Sequence, residues 1–167
     1  MLPLEEVARI AEKANGAVRT FGVALSPCII PENGKANFSV KEGEMELGMG
    51  IHGEPGVEVC PVKTADETVD YMLERILKDL ETKAGDEVAV LVNGLGATPL
   101  EELYIMYRRV HETLEAQGMK VYFAKLGEFA TSMDMIGASI SVMKLDDELK
   151  PYYDMPCSSP YFTKKGK

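Results

Sequence analysis

Thr64-Ala-Asp-Glu-Thr-Val-Asp-Tyr-Met-Leu-Glu-Arg-Ile-Leu-Lys-Asp-Leu80, followed by Gly85-Asp-Glu-Val-Ala-Val-Leu-Val92, is the stretch that decides the fold. Val69, Met72, Leu73, Ile76, Leu77 and Leu80 recur at helical spacing and make one apolar stripe. Thr64, with Glu67 three residues on, is a capping box that starts this helix. Gly85 stops it. The run Val88-Ala-Val-Leu-Val92 is continuously apolar, the pattern of a strand covered on both faces. An amphipathic helix leading into such a strand is the unit of a layered α/β domain.

Working outward from this unit, Asn93-Gly-Leu-Gly96 is a tight strand-to-helix turn. Thr98-Pro-Leu-Glu101 then suggests a second capping box with proline at the first helical position. Leu100, Leu103, Tyr107, Val110 and Leu114 carry that helix to Gly118. Strands are expected over 120–124 and 137–143, then a short acidic helix from Asp146 and a proline-punctuated loop. Toward the N-terminus, Leu4, Val7, Ala8, Ala11, Ala14 and Val18 predict a helix over 3–21. A short strand over 22–26, a weak one over 38–40 and another over 45–51 follow, with 54–63 as loop. The expectation is one domain over 1–167. Its fold class is an α/β layered sandwich, a mixed, mostly parallel sheet of five or six strands flanked by helices.

The 167 residues carry a formal charge of −9, which argues against nucleic acid or an anionic membrane as partner. No apolar run approaches the roughly 20 residues of a membrane span, and the N-terminus lacks the pattern of a signal peptide. Three scattered cysteines, Cys28, Cys60 and Cys157, make neither a disulfide framework nor a zinc site. A cytoplasmic protein with no bound metal is expected.

A second stretch carries the chemistry: Glu46-Leu-Gly-Met-Gly-Ile-His-Gly-Glu-Pro-Gly56, with four glycines around one imidazole, His52. A lone histidine near a strand end is more often structural than reactive, but so many glycines weaken a strand and need a reason. They leave a nitrogen nucleophile with little bulk around it. Glu46, Glu54 and Glu58 would favour the imidazolium if close. Strict alternation would put Glu46, six residues before His52, on the same face, which allows it to orient the ring, against the plainer reading of solvated turn and strand carboxylates. The Asn93 turn is a weak phosphate loop, being neither Gly-x-Gly-x-x-Gly nor a Walker sequence. His111 sits beside the apolar stripe of its helix and reads as partly exposed. Thr131-Ser-Met-Asp134 is a polar loop.

These runs together resemble the dihydroxyacetone kinase family, in particular the second half of its substrate-binding K subunit. The resemblance rests on the 46–56 run, on Gly22-Val-Ala-Leu-Ser26, on Leu91-Val-Asn-Gly-Leu-Gly-Ala-Thr-Pro-Leu100, on Thr131-Ser-Met-Asp-Met-Ile-Gly137 and on Leu145-Asp-Asp-Glu-Leu149. It implies that His52 anchors dihydroxyacetone covalently as a hemiaminal, with Gly50, Gly53 and Asn93 as substrate-binding residues. It implies no cofactor on this chain and a phosphoryl donor, ATP-Mg or a phosphoprotein, on an L-type partner subunit. The family's first half, which supplies its acid/base groups, has no counterpart here, so a separate chain supplying that half is expected, and a homo-oligomer. Three functions stay open: one half of a dihydroxyacetone (glycerone) kinase inactive alone, a dihydroxyacetone-binding regulatory module, and a phosphohistidine carrier.

Overall fold

The computed structural model describes residues 2–52 and 54–166. Helix α1 (Leu4–Gly16) leads into strand β1 (Val18–Ala24), and two short strands follow, β2 (Ile29–Ile30) and β3 (Lys35–Ala36). Then come β4 (Glu44–Leu47), β5 (Glu58–Pro61), α2 (Ala65–Asp79), β6 (Glu87–Gly94), α3 (Leu100–Ala116), β7 (Lys120–Gly127) and β8 (Gly137–Leu145). Helix α4 (Leu149–Asp154) and the strands β9 (Cys157–Ser158) and β10 (Thr163–Lys164) complete the order.

The main sheet is mixed and six-stranded, in the order β5-β4-β1-β8-β6-β7, with helices packed on it, as expected for a layered α/β sandwich. The expected predominance of parallel pairs is corrected. Only β6 and β7 pair in parallel; the other four pairs are antiparallel. The reason lies in the connections. Each helical crossover, α2 and α3, does join two strands that point the same way. Between β5 and β6, however, three antiparallel strands intervene, so only the α3 crossover delivers neighbours.

Side-chain alternation divides the sheet. Val88, Val90 and Val92 of β6 and Ile140 and Val142 of β8 face α2 and α3, where Val69, Met72, Leu73, Leu103, Val110 and Leu114 close the main core. The Thr64 capping box forms as the sequence predicts: Thr64 Oγ1 accepts from Glu67 N, and the Glu67 carboxylate accepts from Thr64 N at 3.0 Å. The second capping box does not form. Thr98 Oγ1 instead donates to Gly137 O at 2.7 Å and accepts from Gly137 N at 2.8 Å, tying the start of α3 to β8.

The predicted helix over 3–21 stops at Gly16, because Val18 to Ala24 pair residue by residue with β8, from Val18↔Met143 to Ala24↔Gly137. Val18 fits either periodicity, and the ladder outweighs the local propensity. The expected strand over 38–40 is absent, and β5 occupies part of the expected 54–63 loop. Helix α1 has no fully buried residue, and Leu4 and Val7 face solvent. Its hold is Ile10 and Ala14 against Leu145 and Leu149, plus ion pairs from Arg9 and Lys13 to Glu148.

Arg9 first, then Lys13, holds the Glu148 carboxyl down at about 2, against an ordinary 4.5. A carboxylate depressed by folding stabilises above its unfolded value, and that contribution disappears as pH falls through the folded one. Amide exchange, corrected for intrinsic rate, should therefore show α1 losing protection between pH 4.5 and about 2 ahead of α2 and α3, which lose the Glu67 cap and the Asp70–Arg109 pair but stay anchored in the main core. Uniform loss across the three helices would contradict this.

Candidate functional site

Strand β4 ends at Leu47 because Gly48 adopts φ +82°, a conformation that turns the chain out of the ladder. Gly48 N donates to Gly22 O at 2.7 Å, and the next carbonyl, Met49 O, crosses so close above Gly22 that a Cβ there would sit 2.8 Å from it. The segment is the loop of a β4–β5 hairpin, closed by Val57 N to Leu47 O at 2.8 Å and by Gly50 N to Glu54 O at 3.2 Å. Met49 is buried and Ile51 half-buried in a small core with Ala24, Cys28, Leu95 and Met135, which pins the loop to the domain. His52 follows in a turn at the tip, its side chain 80% exposed.

Alternation would place Glu46 beside the ring; the structure places Glu54 there. Parity along a strand fails once Gly48 breaks the strand, and Glu46 Oε1 instead accepts from Gly56 N at 2.6 Å, bracing the far side of the loop. Glu54 Oε2 accepts from His52 N at 3.1 Å, and Oε1 stands 3.2 Å from His52 Nδ1. Its own backbone N–H, then that of His52 and the ring, keep the Glu54 carboxyl below the usual carboxylate range. Gly50 makes room for this group, since a Cβ there would lie 2.1 Å from Glu54 Oε2. Glu58 is engaged elsewhere, accepting from Tyr71 OH at 2.7 Å.

Beneath the loop, on the sheet face away from α2 and α3, lies an open cavity of about 420 Å³. Gly50 and Ile51 form part of its wall, and Thr20, Gly22, Ser139 and Ser141 its small, hydroxylated floor. Thr20 Oγ1 and Ser141 Oγ are 2.7 Å apart. This floor escaped the sequence reading because Thr20 was assigned to the first helix; the alternating serines of β8 were the available signal.

Of the other expected substrate-binding residues, Gly53 lies outside the described residues. Asn93 borders the cavity but is only 2% exposed, and its amide is committed to the β7–β8 loop and to β8. Oδ1 accepts from Phe129 N at 2.8 Å and Ala130 N at 3.0 Å, while Nδ2 donates to Ala130 O at 2.9 Å and Ser139 Oγ at 3.3 Å.

The turn after Asn93 is not a phosphate cradle. Leu95 N and Ala97 N are spent on Gly137 O and Met135 O, and Pro99 has no N–H at the start of α3. His111 is partly exposed on α3, with Nε2 3.5 Å from Glu115 Oε1. Asp134 in the polar loop accepts from Ile29 N at 2.8 Å. Among the described residues no cluster of three His, Cys, Asp or Glu side chains is arranged to hold a metal ion, and no helix is long and apolar enough to cross a membrane.

The Dak1 domain family matches residues 1–161. The dihydroxyacetone-binding subunit DhaK of the PTS-dependent dihydroxyacetone kinase 2 of Listeria innocua is 50% identical over 161 residues, covering 96% of this chain and 49% of the relative. Among solved structures, the dihydroxyacetone kinase operon co-activator Dha-DhaQ superposes with a TM-score of 0.84 at 32% identity, over 93% of this chain and 48% of its own. The dihydroxyacetone kinase of C. freundii, solved with AMP-PNP and Mg2+, does so with a TM-score of 0.81 at 30% identity, over 92% of this chain and 28% of its own. The chain thus spans about half the length of the DhaK relatives it matches. With the family matched over nearly its whole length and the fold shared with these proteins, this chain belongs to the Dak1 domain family.

Proposed function

We propose that this chain is the substrate-anchoring half of a dihydroxyacetone kinase, in which Nε2 of His52 adds to the ketone carbon and holds dihydroxyacetone as a hemiaminal. The observation that carries the reading is an exposed imidazole on a braced, glycine-lined loop whose preceding residues, Gly48 to Ile51, wall an open cavity, in a Dak1-family chain. A neutral imidazole is a competent nitrogen nucleophile near neutral pH. Addition needs a carbonyl, so glycerol, which matches dihydroxyacetone in size and in its two terminal hydroxyls, gains nothing from it. Bond formation therefore selects between isosteres more sharply than a contact could.

Phosphoryl transfer then requires what relatives of twice the length have in addition. We assign it to the part of those longer relatives that lies outside this stretch and to an L-type partner subunit carrying the donor, ATP-Mg or a phosphoprotein. The assembly is taken as cytoplasmic and homo-oligomeric. A second reading, a dihydroxyacetone-binding regulatory module, is favoured by the likeness to the operon co-activator.

Calorimetric titration tests what both readings share. Dihydroxyacetone should bind at one site per chain, and glycerol should give no heat at the same concentrations. Equal binding of the two would overturn the covalent anchor. Formation of dihydroxyacetone phosphate on adding the complementary half and a donor would decide for the kinase over the regulator.

A further inference from the structure

We propose that Glu54 is a positioning residue that decides which imidazole nitrogen attacks, by holding the His52 ring in its Nδ1–H form so that Nε2 keeps its lone pair. This rests on the reading of His52 as the ketone anchor.

The geometry is a two-point clamp. Glu54 Oε2 accepts from His52 N at 3.1 Å, which fixes the carboxylate to the backbone, and Oε1 then faces Nδ1 at 3.2 Å. A carboxylate has only acceptors to offer, so the ring nitrogen opposite it must donate. In a neutral imidazole the other nitrogen is then bare. The loop's two remaining carboxylates are committed elsewhere, Glu46 to Gly56 N and Glu58 to the Tyr71 hydroxyl, so one of the three faces the ring. Glu54 stays ionised below the ordinary glutamate range, chiefly through its own backbone N–H. The missing side chain at Gly50 is the space in which this carboxylate lies.

The arrangement also serves the step itself. The Nε2 lone pair forms the bond to the ketone carbon, the C=O π pair moves to oxygen, and that oxygen takes a proton from water. The positive charge left on the ring faces Glu54 and is discharged when the Nδ1 proton passes to the carboxylate and on to solvent. The sum is ketone plus imidazole giving hemiaminal, with no other reactant consumed.

Nitrogen-15 histidine labelling and long-range proton–nitrogen correlation of the ligand-free protein read the tautomer directly, with His111→Gln used to assign the two rings. The wild-type His52 ring should show Nδ1 protonated and Nε2 bare. Glu54→Ala should move it toward the Nε2–H form and weaken dihydroxyacetone binding by up to about fivefold, the range of an exposed ion pair. Glu54→Gln, whose carbonyl oxygen still accepts from Nδ1, should keep the wild-type tautomer and restore most of the binding. Unchanged amide signals of Met49 and Ile51 confirm that the loop has kept its place, and where they move in Glu54→Ala the Gln variant decides. A wild-type ring found in the Nε2–H form, or a tautomer indifferent to Glu54, would overturn the proposal even if the ketone binds. The predicted tautomer with no binding by the wild type would instead overturn the anchor reading and leave the clamp standing.

Discussion

Replacing His52 by alanine is expected to abolish dihydroxyacetone capture while leaving the protein as stable as before. The two halves of this result come from the same geometry. The ring is 80% exposed and, through Nδ1, meets only the half-solvated Glu54, so little packing or pairing is lost with it. Surface changes of this kind fall within about 0.5 kcal/mol. Capture, on the reading proposed above, depends on one covalent bond to the His52 ring, which alanine cannot form. His52→Gln probes the same point with more of the side-chain volume retained, since an amide nitrogen is not a nucleophile. Calorimetry on ketone and variant, set beside a urea melt, separates the two effects. Residual binding at wild-type strength would move the site away from this loop.

The second large effect is expected at Asn93. Asn93→Ala removes the hydrogen bonds this side chain makes to Phe129 N, Ala130 N and Ala130 O, and leaves a hole where a 2% exposed amide sat. Backbone groups stranded in that way cost about 1–3 kcal/mol each, relieved where water can enter. A loss of about 3 kcal/mol overall is expected, seen as a lower urea midpoint with an unchanged slope. Because Ala130 and Ser139 border the cavity, ketone binding should weaken as well, as a consequence of the loosened loop. If Asn93 acted only by touching substrate, the variant would lose binding at full stability, and the melt tells the two roles apart.

The sequence carried the fold where local and tertiary signals agreed. The α2 stripe and its capping box, and the apolar run of β6, point to the same element on every count, and they form as expected. Strand direction was not legible, because crossover helices say which way two strands point but not whether they become neighbours. The end of α1 was misplaced for a related reason: Val18 satisfies a helical period, and only its pairing with Met143 puts it in a strand.

At the site, the glycine-rich run and His52 stood out in the sequence, since so many glycines beside one imidazole need a structural cause. The orienting carboxylate did not. Parity along an assumed strand pointed to Glu46, and a single glycine at φ +82° cancelled that parity and brought Glu54 round instead. Asn93 was recognised as a residue of consequence, but a side chain that grips a neighbouring loop and one that grips a ligand look alike in sequence.

The central claim is a bond between a ring nitrogen of His52 and a ketone carbon, and isotopes can see that bond. With nitrogen-15 histidine in the protein and dihydroxyacetone carrying carbon-13 at the carbonyl position, a protein-bound carbon signal should appear in the tetrahedral region. It should show one-bond coupling to Nε2 of His52 and vanish in His52→Ala. A bound ketone that keeps its carbonyl resonance, or a tetrahedral carbon with no coupling to that nitrogen, would contradict the account.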